Sequence, residues 1–278
     1  MRQFIANQAP DSKGLLKISG RDYRYLRQVL RIKVGDMVSV RIPDGSLIST
    51  TVCQINEEHK LITLQICSEN QKSGDAIDSV TRGVQASSIE KESTGPDYYL
   101  FQYIPKPAKM EQIIRQAVEC GIKYIVPVAG EYSQKSSVQA LSGDGTKSER
   151  IARIIREARQ QSGAPVETVV LKPMSTEEAI KFWNSETAGL QDEICAIALW
   201  ERNENSKTLP QIVKNCGKTI KKAAIAVGSE GGISPSEIDL LNKAGFATVH
   251  FAGNILRCET AALFGIAALQ TTIRNENE

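Results

Sequence analysis

The stretch AIAVGSEGGISPSEI, residues 224–238, is an apolar strand that runs into glycines on either side of one carboxylate before a helix begins. Gly228, Gly231 and Gly232 lack the Cβ atoms that would block a sharp turn or a ligand pressed against bare backbone, and Glu230 places a single acid among them. Ser234, Pro235 and Glu237 then supply an N-cap, a proline at the first helical position and an acid at the third, which together start a helix firmly. Strand, bare turn and helix form the repeating unit of an α/β sheet, where ligands sit at the carboxyl ends of strands.

Outward from this unit the alternation continues in both directions. YYLFQYI (98–104) predicts a strand, KMEQIIRQAVEC (109–120) an amphipathic helix stopped by Gly121, and IKYIVPV (122–128) a second strand. Helix 147–162, strand 166–170, helix 175–184, strand 193–200, helix 209–216, strand 223–227, strand 247–251 and a last helix over 260–273 complete the series. In that last helix Ala261, Leu263, Ile266, Ala267 and Leu269 are expected in the core. The order implies a mostly parallel sheet covered by helices on both faces. Ahead of it, residues 37–67 are β-branched runs split by Asp44-Gly45 and by the polar turn Asn56 to His59, the mark of a small antiparallel β unit. The polar stretch 71–97 is expected to be a linker or mobile loop between a domain over 1–70 and a domain over 98–278.

Composition narrows the function classes. With 278 residues, 41% hydrophobic and 24% charged, the chain has the make-up of an ordinary globular protein of two unequal domains, without an apolar run long enough to span a membrane. The N-terminus shows no apolar signal segment, so a cytoplasmic protein is expected. Six scattered cysteines without a CxxC and only two histidines, His59 and His250, argue against a metal centre or a histidine-based triad. Cysteines in apolar runs such as LQIC and EICAIALW are expected to be small buried hydrophobes. Net charge is only +2, but residues 1–42 carry nine Lys or Arg against three Asp. On a helix over 21–31, Arg21, Arg24, Arg27 and Arg31 fall within about 120° of one another, opposite Leu26, Val29 and Leu30. Such a stripe is most often a solvated face; on a nucleic-acid enzyme it becomes a phosphate contact.

Three strand ends carry unusual loops: LWERNEN after 193–200, VGSEGGISPSE after 223–227, and FAGNILRCETA after 247–251. If those strands are neighbours, one pocket is built from all three. GSEGG alone is as consistent with a tight structural turn as with a ligand loop, and it fits neither GxxxxGK[ST] nor GxGxxG. Arg257 and Glu259 could be no more than an ion pair at a helix entry.

GSEGGISPSEI followed by ILRCETAAL (255–263) resembles the paired motif of the RsmE-type methyltransferases, the small-subunit ribosomal RNA uridine-N3 methylases of the SPOUT superfamily. YLRQVLRIKVGD (25–36), KPAKMEQIIRQAVECGIKYIVPV (106–128) and EARQQSGAPVE (157–167) are similar to further motifs of that family, in the family's order. The chain departs from the usual pattern at Ser229, Ala252, Asn254, Tyr25 and Ala164, where the family commonly has proline, glycine, arginine, histidine and arginine. The resemblance implies a PUA-like β-barrel for RNA over 1–70, then an α/β domain over 98–278 whose C-terminal segment forms a trefoil knot. It further implies a homodimer acting on ribosomal RNA or the small ribosomal subunit, with no membrane. It implies S-adenosylmethionine held by Leu199, Trp200, Gly228, Ser229, Glu230, Gly231, Gly232, Phe251, Ala252, Ile255, Leu256 and Thr260. Lys106, Lys109 and Gln161 look similar to family positions near the active cleft, and Lys106 and Gln161 are expected on the RNA side.

Under that resemblance Arg257 is the expected catalytic cation. Glu230 and Glu259 either accept the uridine proton or anchor the loops, the second being favoured. Two other classes stay open: a SPOUT methylase of ribose 2′-oxygen or another base, and a non-catalytic RNA-binding assembly factor. A metabolic enzyme using a free nucleotide would leave the arginine stripe without a purpose.

Overall fold

A computed structural model describes residues 3–67, 95–143, 145–190, 192–202, 207–217, 219–251 and 253–277. The expected linker falls almost wholly outside these residues. The chain divides into one unit of residues 1–92 with 160–163, and a second of 93–159 with 164–278.

In the N-terminal unit, β1 (Phe4–Ile5), β2 (Leu15–Ile18), β3 (Met37–Arg41), β4 (Leu47–Asn56) and β5 (Leu61–Ile66) form one sheet in the order β1-β3-β4-β5-β2. Only the β1–β3 pairing is parallel. The two expected turns are present. Gly45 has φ +88° beside an Asp44 side chain that accepts from the Ser46 N–H, and Asn56 Oδ1 accepts from the His59 N–H. Phe4, Leu16, Leu26, Val40, Ile62 and Leu64 fill the core.

The expected helix over 21–31 is shorter and wound differently. α1 (Gly20–Arg24) passes into a π-helical turn over Tyr25–Val29, closed by the Leu30 N–H on the Tyr25 carbonyl at 3.1 Å. The wider turn rotates its residues out of the 3.6-residue register, so Leu26 stays buried while Val29, expected beside it, is 63% exposed. Cys67, expected buried, is exposed at the end of β5, whereas Cys195 is buried in mid-strand.

The second unit alternates strand and helix: β6 (Asp97–Tyr103), α2 (Pro107–Glu119), β7 (Tyr124–Val128), α3 (Lys135–Ser142), α4 (Thr146–Ser162), β8 (Val169–Val170), α5 (Thr176–Glu186), β9 (Ile194–Leu199), α6 (Leu209–Asn215), β10 (Lys222–Val227), α7 (Pro235–Lys243), β11 (Ala247–Val249) and α8 (Cys258–Asn277). The strands form one sheet in the order β11-β9-β10-β6-β7-β8, and every pairing in it is parallel. The pattern predicts no element over Lys135–Ser142. That helix buries only Ser137, so it carries no apolar stripe to read.

Alternation along the strands sorts the core into two layers. Leu100, Ile125, Ile197 and Ile225 meet α2, α4, α6 and α8, while Tyr99, Phe101 and Tyr103 meet α5 and α7. On the second side Trp183 lies edge-on to Tyr99 and Phe101, at ring separations of 5.3 and 6.0 Å. In α8 the buried face is Ala262, Ile266, Leu269 and Ile273, at spacings of four, three and four. Leu263 and Ala267, expected in the core, lie one position further round the helix and are exposed. Among the described residues no helix is long and apolar enough to cross a membrane.

Candidate active site

The sheet order makes β10, β9 and β11 neighbours, so the three loops singled out in the sequence leave the same sheet edge side by side. The middle loop is the tightest. Ser229 and Gly232 pair as an isolated antiparallel bridge, with the Gly232 N–H donating to the Ser229 carbonyl at 3.1 Å. A Cβ on Gly228 would lie 2.6 Å from the Gly232 carbonyl carbon, so the turn closes only because residue 228 has none. The turn ends in α7, where Ser234 and Glu237 form a reciprocal capping box.

Two buried polar side chains fix this loop from behind. Glu237, 8% exposed, accepts from the Thr176 hydroxyl at 2.8 Å and from the Glu131 N–H at 3.1 Å, besides its bonds to Ser234. Gln102, fully buried at the end of β6, aims its amide nitrogen at the carbonyls of Tyr103, Val227 and Gly228, at 2.9, 3.3 and 3.1 Å. One side chain of β6 thereby holds the point at which the neighbouring strand gives way to the turn.

The three loops enclose a cavity of about 510 Å³. Leu199 and Trp200 come from the first loop, Gly228, Ser229, Glu230, Gly231 and Gly232 from the second, and Phe251, Ile255, Leu256 and Arg257 from the third. All were expected there. Thr260 does not line the cavity: it is exposed on the first turn of α8, and the next residue, Ala261, faces inward instead. Ala252 lies outside the described residues. Leu199, Val227, Val249 and Ala261 give the cavity apolar walls, and the second loop offers it bare backbone.

The charges form two groups. Lys109 of α2 reaches into the cavity wall and stands between Glu259 Oε2 at 3.2 Å and Glu230 Oε1 at 3.6 Å, with Cys258 Sγ at 3.9 Å. Its hydrogen bond to Glu259 raises the Lys109 pKa above the ordinary lysine value, against a smaller effect of burial. Burial pushes the Glu259 carboxyl up, but bonds from its own N–H, from Cys258 and from Lys109 outweigh that and leave its pKa lowered. Glu230 also accepts from the Lys106 N–H at 3.2 Å. Both acids are therefore tied to α2. By contrast, the Arg257 guanidinium and the Glu201 carboxylate, which also line the cavity, have no hydrogen bond or ion pair among the described residues.

The other sequence candidates do not line the cavity, and Lys106 meets it only through its backbone N–H on Glu230. Lys106 is the exposed N-cap of α2, and Gln161 is exposed in the last turn of α4. Arg21, Arg24 and Arg31 are exposed in the N-terminal unit. Arg27 is committed within that unit: its guanidinium donates to the Ile32 carbonyl at 2.8 Å and to Glu57 Oε1 at 2.7 Å.

Comparison with known proteins identifies the family. A family model described as the RNA methyltransferase domain matches residues 92–270. The ribosomal RNA small subunit methyltransferase E of Aquifex aeolicus is 30% identical over 182 residues, which are 65% of this chain and 71% of that protein. The chain belongs to the ribosomal RNA small subunit methyltransferase E family. The Bacillus subtilis member is 24% identical over 275 residues, covering 96% of this chain and 95% of its own length. A crystal structure of the Neisseria gonorrhoeae member, bound to S-adenosyl methionine, shares the fold at a TM-score of 0.71 and 22% identity, covering 98% of this chain and 97% of that one.

In this family member, four side chains at or behind the cavity have placements or partners that the sequence shows weakly or not at all. Gln102 is a polar residue inside the apolar strand YYLFQYI, and that break in the pattern is a usable sign. Glu237 reads only as a helix cap, and its second bonding partner, Thr176, is 61 residues away. Lys109 is 150 positions from Glu259, and Glu201 is one acid in a polar loop. Resemblance placed Lys109 near the cleft, but nothing local marks its pairing with the two acids, and nothing local marks Glu201.

Proposed function

We propose that this family member transfers a methyl group from S-adenosylmethionine to N3 of a uridine in small-subunit ribosomal RNA. The observation that carries the proposal is the Arg257 guanidinium, without a partner among the described residues, in the wall of a cavity built by three adjacent loops. The cavity suits the methyl donor in volume, since small-molecule sites span roughly 300–1,000 Å³. Its apolar walls suit an adenine ring, and the glycine turn leaves backbone groups free to bond the ring edge. When bound, S-adenosylmethionine supplies an electrophilic methyl carbon.

The chain's own residues then have three tasks. Leu199, Trp200, Phe251, Ile255 and Leu256 exclude water, and Gly228 to Gly232 hold the donor against bare backbone. Arg257 addresses the nucleophile. The N3–H of uracil titrates on the order of two units above neutrality, so ionising it costs about 2.7 kcal/mol at 1.36 per unit. A permanently charged guanidinium beside a uracil carbonyl oxygen offsets a cost of that size. Lys109, Glu230 and Glu259 keep the loops together, which is the anchoring role.

Within the same proposal residues 1–70 are a PUA-like β-barrel that holds RNA through Arg21, Arg24 and Arg31, and residues 98–278 are a SPOUT domain with a C-terminal trefoil knot. The protein acts as a cytoplasmic homodimer. Lys106 and Gln161 contact RNA.

The test is incubation with labelled S-adenosylmethionine and small ribosomal subunits lacking the modification, followed by mass spectrometry of the nucleosides. N3-methyluridine is the expected product; a ribose-methylated nucleoside would move the chain to the other SPOUT chemistry. Arg257→Ala should abolish transfer while S-adenosylmethionine affinity by calorimetry stays within a few-fold. Retained turnover would remove Arg257 from its role.

A further inference from the structure

Methylation at an imide nitrogen needs a group that receives the N3 proton, and the structure narrows where that group is. Glu230 and Glu259 share the Lys109 ammonium, and Glu230 also holds the Lys106 N–H. Glu237 is buried behind the glycine turn with its oxygens bonded to Thr176, Glu131 and Ser234. A carboxylate so engaged gives up bonds on protonation. Glu201 differs from all three. It is exposed, lines the cavity, and has neither a hydrogen bond nor an ion pair among the described residues.

The glycine turn lies directly against its carboxylate. A Cβ on Gly232, where φ is +82°, would lie 3.3 Å from Glu201 Oε2 and 3.7 Å from Oε1. The bare glycine thus gives the carboxylate room against the loop that closes the cavity. Glu201 follows Trp200 on the first loop and Arg257 belongs to the third, so a carboxylate and a guanidinium, both without a partner among the described residues, border one cavity from different loops.

We propose that Glu201 is the general base of the reaction, an assignment that rests on the uracil-N3 reading above. The N3–H proton passes to the Glu201 carboxylate as the N3 electron pair forms a bond to the methyl carbon. The carbon–sulfur bond breaks with its pair going to sulfur, which leaves as a neutral thioether. Glu201, now a carboxylic acid, returns its proton to solvent. Proton transfer from an imide to a carboxylate is uphill in water, so the base depends on the cation across the cavity. The rival role for an acid at this position is to accept hydroxyl groups of the donor's ribose, and the two roles separate experimentally.

Glu201→Gln is to be compared with the unaltered protein by calorimetric titration of S-adenosylmethionine and by single-turnover methylation of subunits across pH. The expected result is a rate at neutral pH lower by about 10²–10⁴-fold, as for loss of a general base, with S-adenosylmethionine affinity within about three-fold. The variant's rate should climb with pH toward the ionisation of the imide. Substrate carrying 5-fluorouridine, whose imide is more acidic, should restore much of the loss. A rate within two-fold of the unaltered protein overturns the assignment. So does a weakening of S-adenosylmethionine binding in proportion to the rate, which would make Glu201 a ribose contact. Retained calorimetric binding shows that the variant is folded. Failure of the unaltered protein to form N3-methyluridine would sink the underlying function instead, and the role of Glu201 with it.

Discussion

Lys109 keeps its proton more firmly than a solvated lysine because Glu259 and, less closely, Glu230 face it; Glu259 keeps its charge more firmly, against the effect of burial, because its own N–H, Cys258 and Lys109 all donate to it. The two shifts set the pH window of the clamp. A raised lysine pKa contributes stability that is full below the unfolded value and is lost as pH rises through the folded one. A lowered carboxylate pKa contributes stability that is full above the unfolded value and is lost as pH falls through the folded one. The clamp therefore holds between the ordinary carboxylate and lysine ranges, from about pH 5 to about pH 10. S-Adenosylmethionine affinity, followed by calorimetry, should not change through loss of this clamp inside that window. Lys109→Met should weaken the affinity by about three- to ten-fold, with partial rescue by Lys109→Arg, since exposed pairs are individually weak and this one joins three groups. Equal affinity in Lys109→Met would show that the clamp does not shape the cavity. Both acids were legible as site residues from their motifs. Lys109 was legible too, by resemblance, but its pairing with them was not, because the sequence near Lys109 carries no trace of residues 230 and 259.

At the scale of elements, the turn after β10 depends on its neighbour β6. The Gln102 amide serves three backbone carbonyls, so replacing it leaves buried acceptors without a donor, at a cost of about 1–3 kcal/mol. Gln102→Leu, which keeps the bulk and removes the donor, should lower the midpoint of chemical denaturation accordingly. An unchanged midpoint would mean that water replaces the amide. Most strands and helices were readable because apolar residues recur at period two or 3.6, and α7 because Ser234, Pro235 and Glu237 cap it. The elements misread are those in which this periodicity fails. The π-helical turn at Tyr25–Val29 turns Val29 out to solvent and α3 has no apolar stripe, whereas in α8 the period holds, with Ile266 and Leu269 buried as expected and only Leu263 and Ala267 exposed instead.

At the scale of the whole molecule, phosphate contact through the N-terminal unit has a salt signature. Arg21→Glu combined with Arg24→Glu should weaken RNA binding and flatten the plot of log affinity against log salt by about 1.5, roughly 0.7–0.9 for each phosphate lost. Filter binding at several salt concentrations measures this, and an unaltered slope would remove the stripe from the RNA face. Arg27 is the wrong residue for that test. Its bonds to Ile32 and Glu57 mean that a change there disturbs the fold as well. By itself the sequence determined the alternating α/β order, the small β unit ahead of it, the bare turn at Gly228 to Gly232 and the family, all carried by residues close together in the chain. Only the tertiary structure decided that β9, β10 and β11 are neighbours, that Lys109 engages Glu230 and Glu259, and that Glu201 and Arg257 share one cavity wall without a partner among the described residues. Periodicity and capping act over a few residues, whereas strand order and charge pairing depend on the path of the chain between residues tens to more than a hundred positions apart.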